Sequence, residues 1–196
     1  FIKLADKSFI VSSKDRDYLG SKELIVNKLG LDLSIYQNER KPNKNNMIIF
    51  TGNMSYYPNV NAVIWFIKNC WKDIQENYPE LKFYVVGRDP AKSIRNLAKK
   101  ENNIFVTGSV NSISNIICKA SLSIAPMQAG SGMQLKILEA MACSVPVITT
   151  SKGLGDIDAK IDKEIVIADN AEMFIQKIKL LLDNKELNHK IGVNGK

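Results

Sequence analysis

From residue 47 onward, short apolar runs and helix-patterned stretches take turns, and this alternation leaves the chain few folds. The runs are Met47-Ile48-Ile49-Phe50-Thr51-Gly52, Leu81-Lys82-Phe83-Tyr84-Val85-Val86-Gly87, Ile104-Phe105-Val106-Thr107-Gly108, then residues 120–125, 145–149 and 164–168. The first three each close on a glycine. Between them, residues 61–75 carry Val63, Ile64, Phe66, Ile67 and Trp71 at helical spacing, and 91–100 form a polar-faced helix. Further helices are predicted at 110–119, 135–142, 171–182 and 185–191. Strands alternating with helices imply parallel strands joined by right-handed crossovers. The expected class is therefore α/β, a doubly wound, Rossmann-like parallel sheet. Ligands in such sheets lie outside the carboxyl ends of the strands. Gly52, Gly87, Gly108 and the loop at 126–132 all fall on that edge.

Before this region, Ser8-Phe9-Ile10-Val11-Ser12-Ser13 reads as a short buried strand. A polar helix-like stretch follows at 14–23, then an apolar run at 24–26. Residues 37–46 (QNERKPNKNN) carry almost no apolar side chain and read as a linker. The opening Phe1-Ile2-Lys3-Leu4-Ala5-Asp6 has no initiator Met and no signal-peptide order, so the expectation is a cut end inside a longer protein.

Composition narrows the function classes. No apolar run approaches the roughly 18 residues needed to span a bilayer. Cys70, Cys118 and Cys143 are odd in number, far apart and set in apolar stretches, which points to reduced core thiols in the cytoplasm. The single histidine, His189, has no ligand cluster at metal-binding spacing, so no metal site is expected. The net charge of +7 raises nucleic acid as a partner. The basic residues are scattered, however, and no aromatic residues interleave with them as a stacking platform requires, so nucleic-acid binding is not expected. Attraction to an acidic ligand or an anionic membrane surface stays open.

The informative segment is Ala125-Pro126-Met127-Gln128-Ala129-Gly130-Ser131-Gly132-Met133-Gln134-Leu135-Lys136-Ile137-Leu138-Glu139-Ala140-Met141-Ala142. A strand ends at Pro126, a small-residue loop follows, and a helix is expected to begin close to Gly132. The loop lets a ligand approach the backbone, and the helix N-terminus offers unpaired N–H groups and partial positive charge, a seat for a diphosphate. Lys136 adds a full charge to the same oxygens. Glu139, three residues on, shares that face and offers a carboxylate to a pair of ribose hydroxyls. The plain alternative is an ordinary helix ion pair worth a few tenths of a kcal/mol. The pattern is neither the dinucleotide fingerprint nor a P-loop.

The run G-S-G-M-Q-L-K-I-L-E-A-M-A-C-S-V-P-V-I-T-T resembles the signature of the C-terminal domain of family-4-type glycosyltransferases. Other stretches agree in order and spacing: Phe50-Thr51-Gly52-Asn53-Met54, Tyr57-Pro58-Asn59-Val60-Asn61-Ala62, Tyr84-Val85-Val86-Gly87-Arg88-Asp89-Pro90 and Val106-Thr107-Gly108-Ser109-Val110. Residues 25–32 are similar to a degraded hinge motif. The resemblance implies the C-terminal half of a GT-B fold, with residues 1–45 as the tail of an N-terminal domain plus hinge and 46–196 as the nucleotide-sugar-binding domain. It implies a hexosyl-type transferase that uses a nucleotide-diphosphate sugar without a bound metal or other cofactor. The acceptor, a glycan or lipid-linked molecule, would be held by an N-terminal domain, so this piece alone is expected to be inactive.

Carried over by position, Glu139 would bind the donor ribose, and Lys136 with the Gly130-Ser131-Gly132 backbone the diphosphate. Arg88 would face phosphate or pair with Asp89, Gly52 and Asn53 would line the cleft, and the Ser109-Val110 loop would lie near the base. No catalytic residue is assigned. One departure stands out: the family's Glu-x7-Glu motif has its first carboxylate eight residues before the second, and this chain has Ser131 there. Retention or inversion therefore has no motif to rest on. Polysaccharide or lipid-linked glycan assembly, in the cytoplasm or peripherally on the inner membrane face, is the family-level expectation. A nucleotide-sugar epimerase and a non-enzymatic anion-binding module are the alternatives.

Overall fold

The strands at 47–51 and 122–125 carry no polar side chain on either face beyond Ser and Thr, which requires burial from both sides. A computed structural model, describing residues 6–36, 40, 47–130 and 132–196, provides that burial. In chain order, β1 (Ser8–Ile10), α1 (Ser13–Tyr18) and β2 (Leu24–Val26) form a small unit, followed by a 3₁₀ turn at Leu33–Tyr36. Then come β3 (Met47–Thr51), α2 (Tyr57–Phe66), a π turn (Ile67–Trp71), α3 (Lys72–Asn77), β4 (Lys82–Val86), α4 (Lys92–Ala98), β5 (Ile104–Gly108), α5 (Ile113–Ile117) and β6 (Leu122–Ala125). The remainder is α6 (Leu135–Ala142), β7 (Val147–Thr149), α7 (Ser151–Leu154), β8 (Val166–Ile167), α8 (Ala171–Asp183) and α9 (Lys185–Gly195).

Six strands form one sheet in the order β5-β4-β3-β6-β7-β8, every neighbouring pair parallel. The order runs outward from β3 through β4 and β5, then restarts on the other side of β3 with β6. That reversal is the topological switch point where open α/β sheets bind ligands. The doubly wound sheet expected from the sequence is present, with all six expected strands. Helices cover both faces, and the core on one of them is aromatic. Phe66 meets Phe83 edge-on with ring centroids 5.0 Å apart, Trp71 lies 5.7 Å from Phe83, and Trp65 meets Phe174 at 5.7 Å. Such pairs add to the burial of large apolar area.

Several boundaries differ from the sequence reading. The helix predicted at 61–75 spans Tyr57 to Asn77 through the π turn, because Pro58 fits the first helical turn and the turn keeps Ile67, Cys70 and Trp71 buried. The helix predicted at 110–119 is cut to Ile113–Ile117, opened by Ser112, whose hydroxyl accepts from the Asn115 N–H. Thr150 caps an unexpected short helix, α7, in the same way. The linker read at 37–46 falls outside the described residues except Arg40, whose guanidinium donates to the Ser121 carbonyl at 2.9 Å and to Asn188 Oδ1 at 2.7 Å. Cys70, Cys118 and Cys143 are all buried, and none of them is in a disulfide. Among the described residues no helix is long and apolar enough to cross a membrane.

The β1-α1-β2 unit is a parallel pair with Ser8 opposite Leu24. It docks on the main domain through Asp156, whose carboxylate accepts from the Ser13 N–H, the Ser13 hydroxyl at 2.9 Å and the Lys14 N–H at 3.2 Å. Partial burial pushes this carboxyl up, but the hydrogen bonds from Ser12, Ser13 and Lys14 outweigh it and hold it below its ordinary value. A carboxylate at a helix N-terminus also meets the positive end of the helix dipole.

Candidate functional site

The carboxyl ends of β3, β4 and β5 are laced together by their glycines. The Gly52 N–H donates to the Val86 carbonyl at 3.0 Å and the Gly87 N–H to the Gly108 carbonyl at 3.1 Å. Beside them, at the switch point, opens a cavity of about 390 Å³ lined by Gly52, Asn53, Gly87, Arg88, Ser109, Val110, Ile113, Leu135, Lys136 and Glu139. That volume lies within the roughly 300–1,000 Å³ of small-molecule sites. Four separated sequence segments therefore meet at one place.

The two charged residues at its heart come from α6. This helix spans Leu135–Ala142, the range read from the sequence, so its first turn starts three residues past Gly132, with Gln134 at the N-cap and no side-chain cap. The backbone of Gln134 is still extended, which delays the first turn. The Ile137 N–H already donates to the Gln134 carbonyl at 2.9 Å, while the Leu135 and Lys136 amides come before any intrahelical acceptor. Lys136 and Glu139 are three residues apart, on the face that lines the cavity.

Lys136 is only 9% exposed. Its Nζ donates to Gln134 Oε1 at 2.6 Å and sits 5.6 Å from the centroid of the Phe50 ring. Its Cε packs against Gly52, 3.5 Å from where a Cβ would stand. Burial lowers the ammonium pKa to about 8, against the raising effect of Glu139. A buried cation whose partner is a neutral amide is short of countercharge. An anion entering the cavity supplies it.

Glu139 is half-buried, and its Oε1 accepts a hydrogen bond from the Tyr36 hydroxyl at 3.1 Å. The second carboxylate oxygen is left for other donors. Arg88 lines the cavity too. Its Nε is 3.9 Å from Asp89 Oδ2, with both side chains about two-thirds exposed, 69% and 68%. An exposed pair at that distance holds the guanidinium only weakly, so Arg88 can turn to an anion.

Of the residues singled out in the sequence, Gly52, Asn53, Arg88, Val110, Lys136 and Glu139 are brought together here. Gly130 and Gly132 are not among the lining residues. A side chain at Gly130 would meet Pro58, and one at Gly132 would meet Val11 and Asp15 of the β1-α1-β2 unit. Both glycines thus lie beside α2 and the N-terminal unit, with Met133 and Gln134 between Gly132 and the first turn of α6. Ser131 lies outside the described residues. Sequence reasoning did not assign Ile113, Leu135, Gln134 or Tyr36. For Ile113, Leu135 and Tyr36 only the tertiary contacts give the signal. Gln134 carried a local one, since a residue two before a buried lysine at a helix start is placed to hold it. Among the described residues no cluster of His, Cys, Asp or Glu is arranged to hold a metal ion.

Comparison with known proteins fits this geometry. Residues 45–184 match the family described as Glycosyl transferases group 1. The chain belongs to that family. It is 25% identical over 139 residues to an uncharacterized 44.6 kDa protein in the cps region of Klebsiella pneumoniae, across 67% of this chain and 36% of that one. A crystal structure of a TarM mutant from S. aureus, in complex with Fondaparinux, alpha-GlcNAc-glycerol and UDP, superposes with a TM-score of 0.82 at 16% identity, over 98% of this chain and 40% of that one. Anabaena HepE, in complex with UDP and glucose, gives 0.78 at 15% identity, over 97% of this chain and 57% of that one. This group 1 chain has the fold of half a GT-B glycosyltransferase, and it spans about a third to three-fifths of the length of the relatives it matches.

Proposed function

We propose that this chain is the donor-binding half of a glycosyltransferase that moves a sugar from a nucleotide-diphosphate sugar to a glycan or lipid-linked acceptor. The observation that carries the reading is the pairing of Lys136 and Glu139, one helical turn apart, on the wall of one cavity at the switch point. Membership of the group 1 family supports it, as do the UDP complexes of the TarM and HepE structures. A hexosyl donor, a metal-free site and a division into residues 1–45 and 46–196 belong to the same proposal, as does a site of action in the cytoplasm or on the inner membrane face. The acceptor is then held by a domain this chain does not contain, and the chain by itself is inactive in transfer.

In this role each residue has a task. As the anomeric C–O bond breaks, its electron pair goes to the diphosphate oxygen. The Lys136 ammonium and the first-turn amides of α6 neutralise the charge where it grows. Glu139 accepts from the ribose hydroxyls and sets the nucleotide's register, while Val110 and Ile113 give the base an apolar wall. Arg88 approaches the phosphates from the open side.

A thermal-shift panel of UDP-, GDP-, ADP- and TDP-sugars on this chain tests the proposal. A donor at about a hundred times its Kd stabilises the fold by roughly 2.7 kcal/mol. Affinity should be greatest below pH 8 and fall as pH rises through about 8, where Lys136 loses its charge. A Lys136→Met variant should show no such fall. A panel without any shift, or one in which simple polyphosphate does as well as every nucleotide, overturns the reading.

A further inference from the structure

Tyr36 is the last residue of the 3₁₀ turn at Leu33–Tyr36, just before the polar linker, and lies outside the sheet that builds the cavity. Its side chain is nonetheless 6% exposed and part of the main core. An exposed turn does not need a buried tyrosine, and its neighbours Leu33 and Ile35 are both 57% exposed. The ring reaches α6, and its hydroxyl ends 3.1 Å from Glu139 Oε1. Burial first, and then the neighbouring Glu139 carboxylate, push the phenol pKa up, so it stays protonated and donates to that carboxylate.

A carboxylate that serves a vicinal diol must offer its oxygens at a fixed angle. A glutamate side chain has three rotatable bonds, and fixing it costs rotamer freedom. The Tyr36 hydroxyl takes one lone pair of Oε1 and fixes that geometry in advance, leaving the second oxygen and the remaining lone pairs for the ligand. We propose that Tyr36 is a positioning residue that orients Glu139 for the ribose hydroxyls of the bound nucleotide. The proposal rests on the donor-site reading above, and it makes the turn before the linker a part of that site.

Tyr36→Phe removes the hydroxyl and keeps the ring in its place. Binding is measured by calorimetry on this chain with UDP, GDP and ADP, each beside its 2′,3′-dideoxy form. For the nucleotide that binds, Tyr36→Phe should weaken the ribo form by about fivefold to tenfold, the size of a typical net hydrogen bond. The dideoxy form, which has no hydroxyl for Glu139 to meet, should bind both proteins alike. In a Glu139→Ala background the same change should have no further effect, because the two residues act as one unit.

Equal weakening of ribo and dideoxy forms means that Tyr36 only supports the packing, and the proposal falls. No weakening by Tyr36→Phe, with clear weakening by Glu139→Ala, also overturns it while leaving the donor site standing. If the unaltered chain binds none of the nucleotides, or Glu139→Ala binds the ribo form as well as the unaltered chain, the donor-site reading fails and this one with it.

Discussion

Replacing Lys136 by methionine is expected to lower transfer by the full-length enzyme by about 10²–10³-fold, as loss of an oxyanion-hole donor does. Methionine is the informative choice because it keeps an unbranched stem of similar length. Lys136 packs over Phe50 and against Gly52, so alanine would leave a gap beside both and mix a packing defect with the loss of charge. The buried ammonium has Gln134 as its partner, a neutral amide, and removing it leaves only that amide to find water at the cavity wall. Steady-state kinetics with a donor and acceptor that the enzyme uses would show a fall in kcat, with thermal stability near that of the unaltered protein. Unchanged kcat would remove Lys136 from the site.

Gly87→Ala is expected to destabilise the fold by about 3 kcal/mol or more, which is large against the 5–15 kcal/mol of a typical domain. Two independent causes act at this position. A Cβ on Gly87 would overlap the carbonyl oxygen of Gly52, a backbone atom that no rotamer change can move. The residue also has φ of 149°, which side-chain-bearing residues rarely adopt. Relief requires β3 and β4 to separate at their carboxyl ends, which breaks the Gly52 N–H to Val86 hydrogen bond and opens the cavity floor. Urea unfolding would show an earlier midpoint, with nucleotide affinity falling in step. An unfolding free energy within a few tenths of a kcal/mol of the original would mean that the two strand ends part at no cost.

The failure of Gly130 and Gly132 to reach the cavity lining has a plain cause in the backbone. Pattern reading expected the small-residue loop to offer its backbone to a ligand, since it lies directly before the helix at 135–142. Glycines also serve turns: both have positive φ, 108° and 79°, and a Cβ on them would be in ordinary contact with Pro58 and with Val11 and Asp15. Nothing local distinguishes a glycine that admits a ligand from one that only turns the chain. Lys136 and Glu139 were legible for the opposite reason. Their spacing of three within a helix puts them on one face wherever the helix starts.

Tyr36 shows the other side of that limit. Tyr36 precedes a polar linker and carries no periodic signal, and its partner Glu139 is 103 residues away. Only the return of the chain across the sheet brings the two together. Asp156, 143 residues from Ser13, is the same case, a surface acid by sequence and an anchor for α1 by structure.

The sequence by itself determined the strand and helix alternation, the six parallel strands and the edge that carries their closing glycines, because continuous apolar runs and period-3.6 burial are local properties that a linear pattern records. Only the tertiary structure decided which loops share the cavity, what holds Lys136 and Glu139, and where the glycine turn faces. Those are contacts between residues far apart in the chain, fixed by how the crossovers pack on the sheet, and no local pattern encodes them.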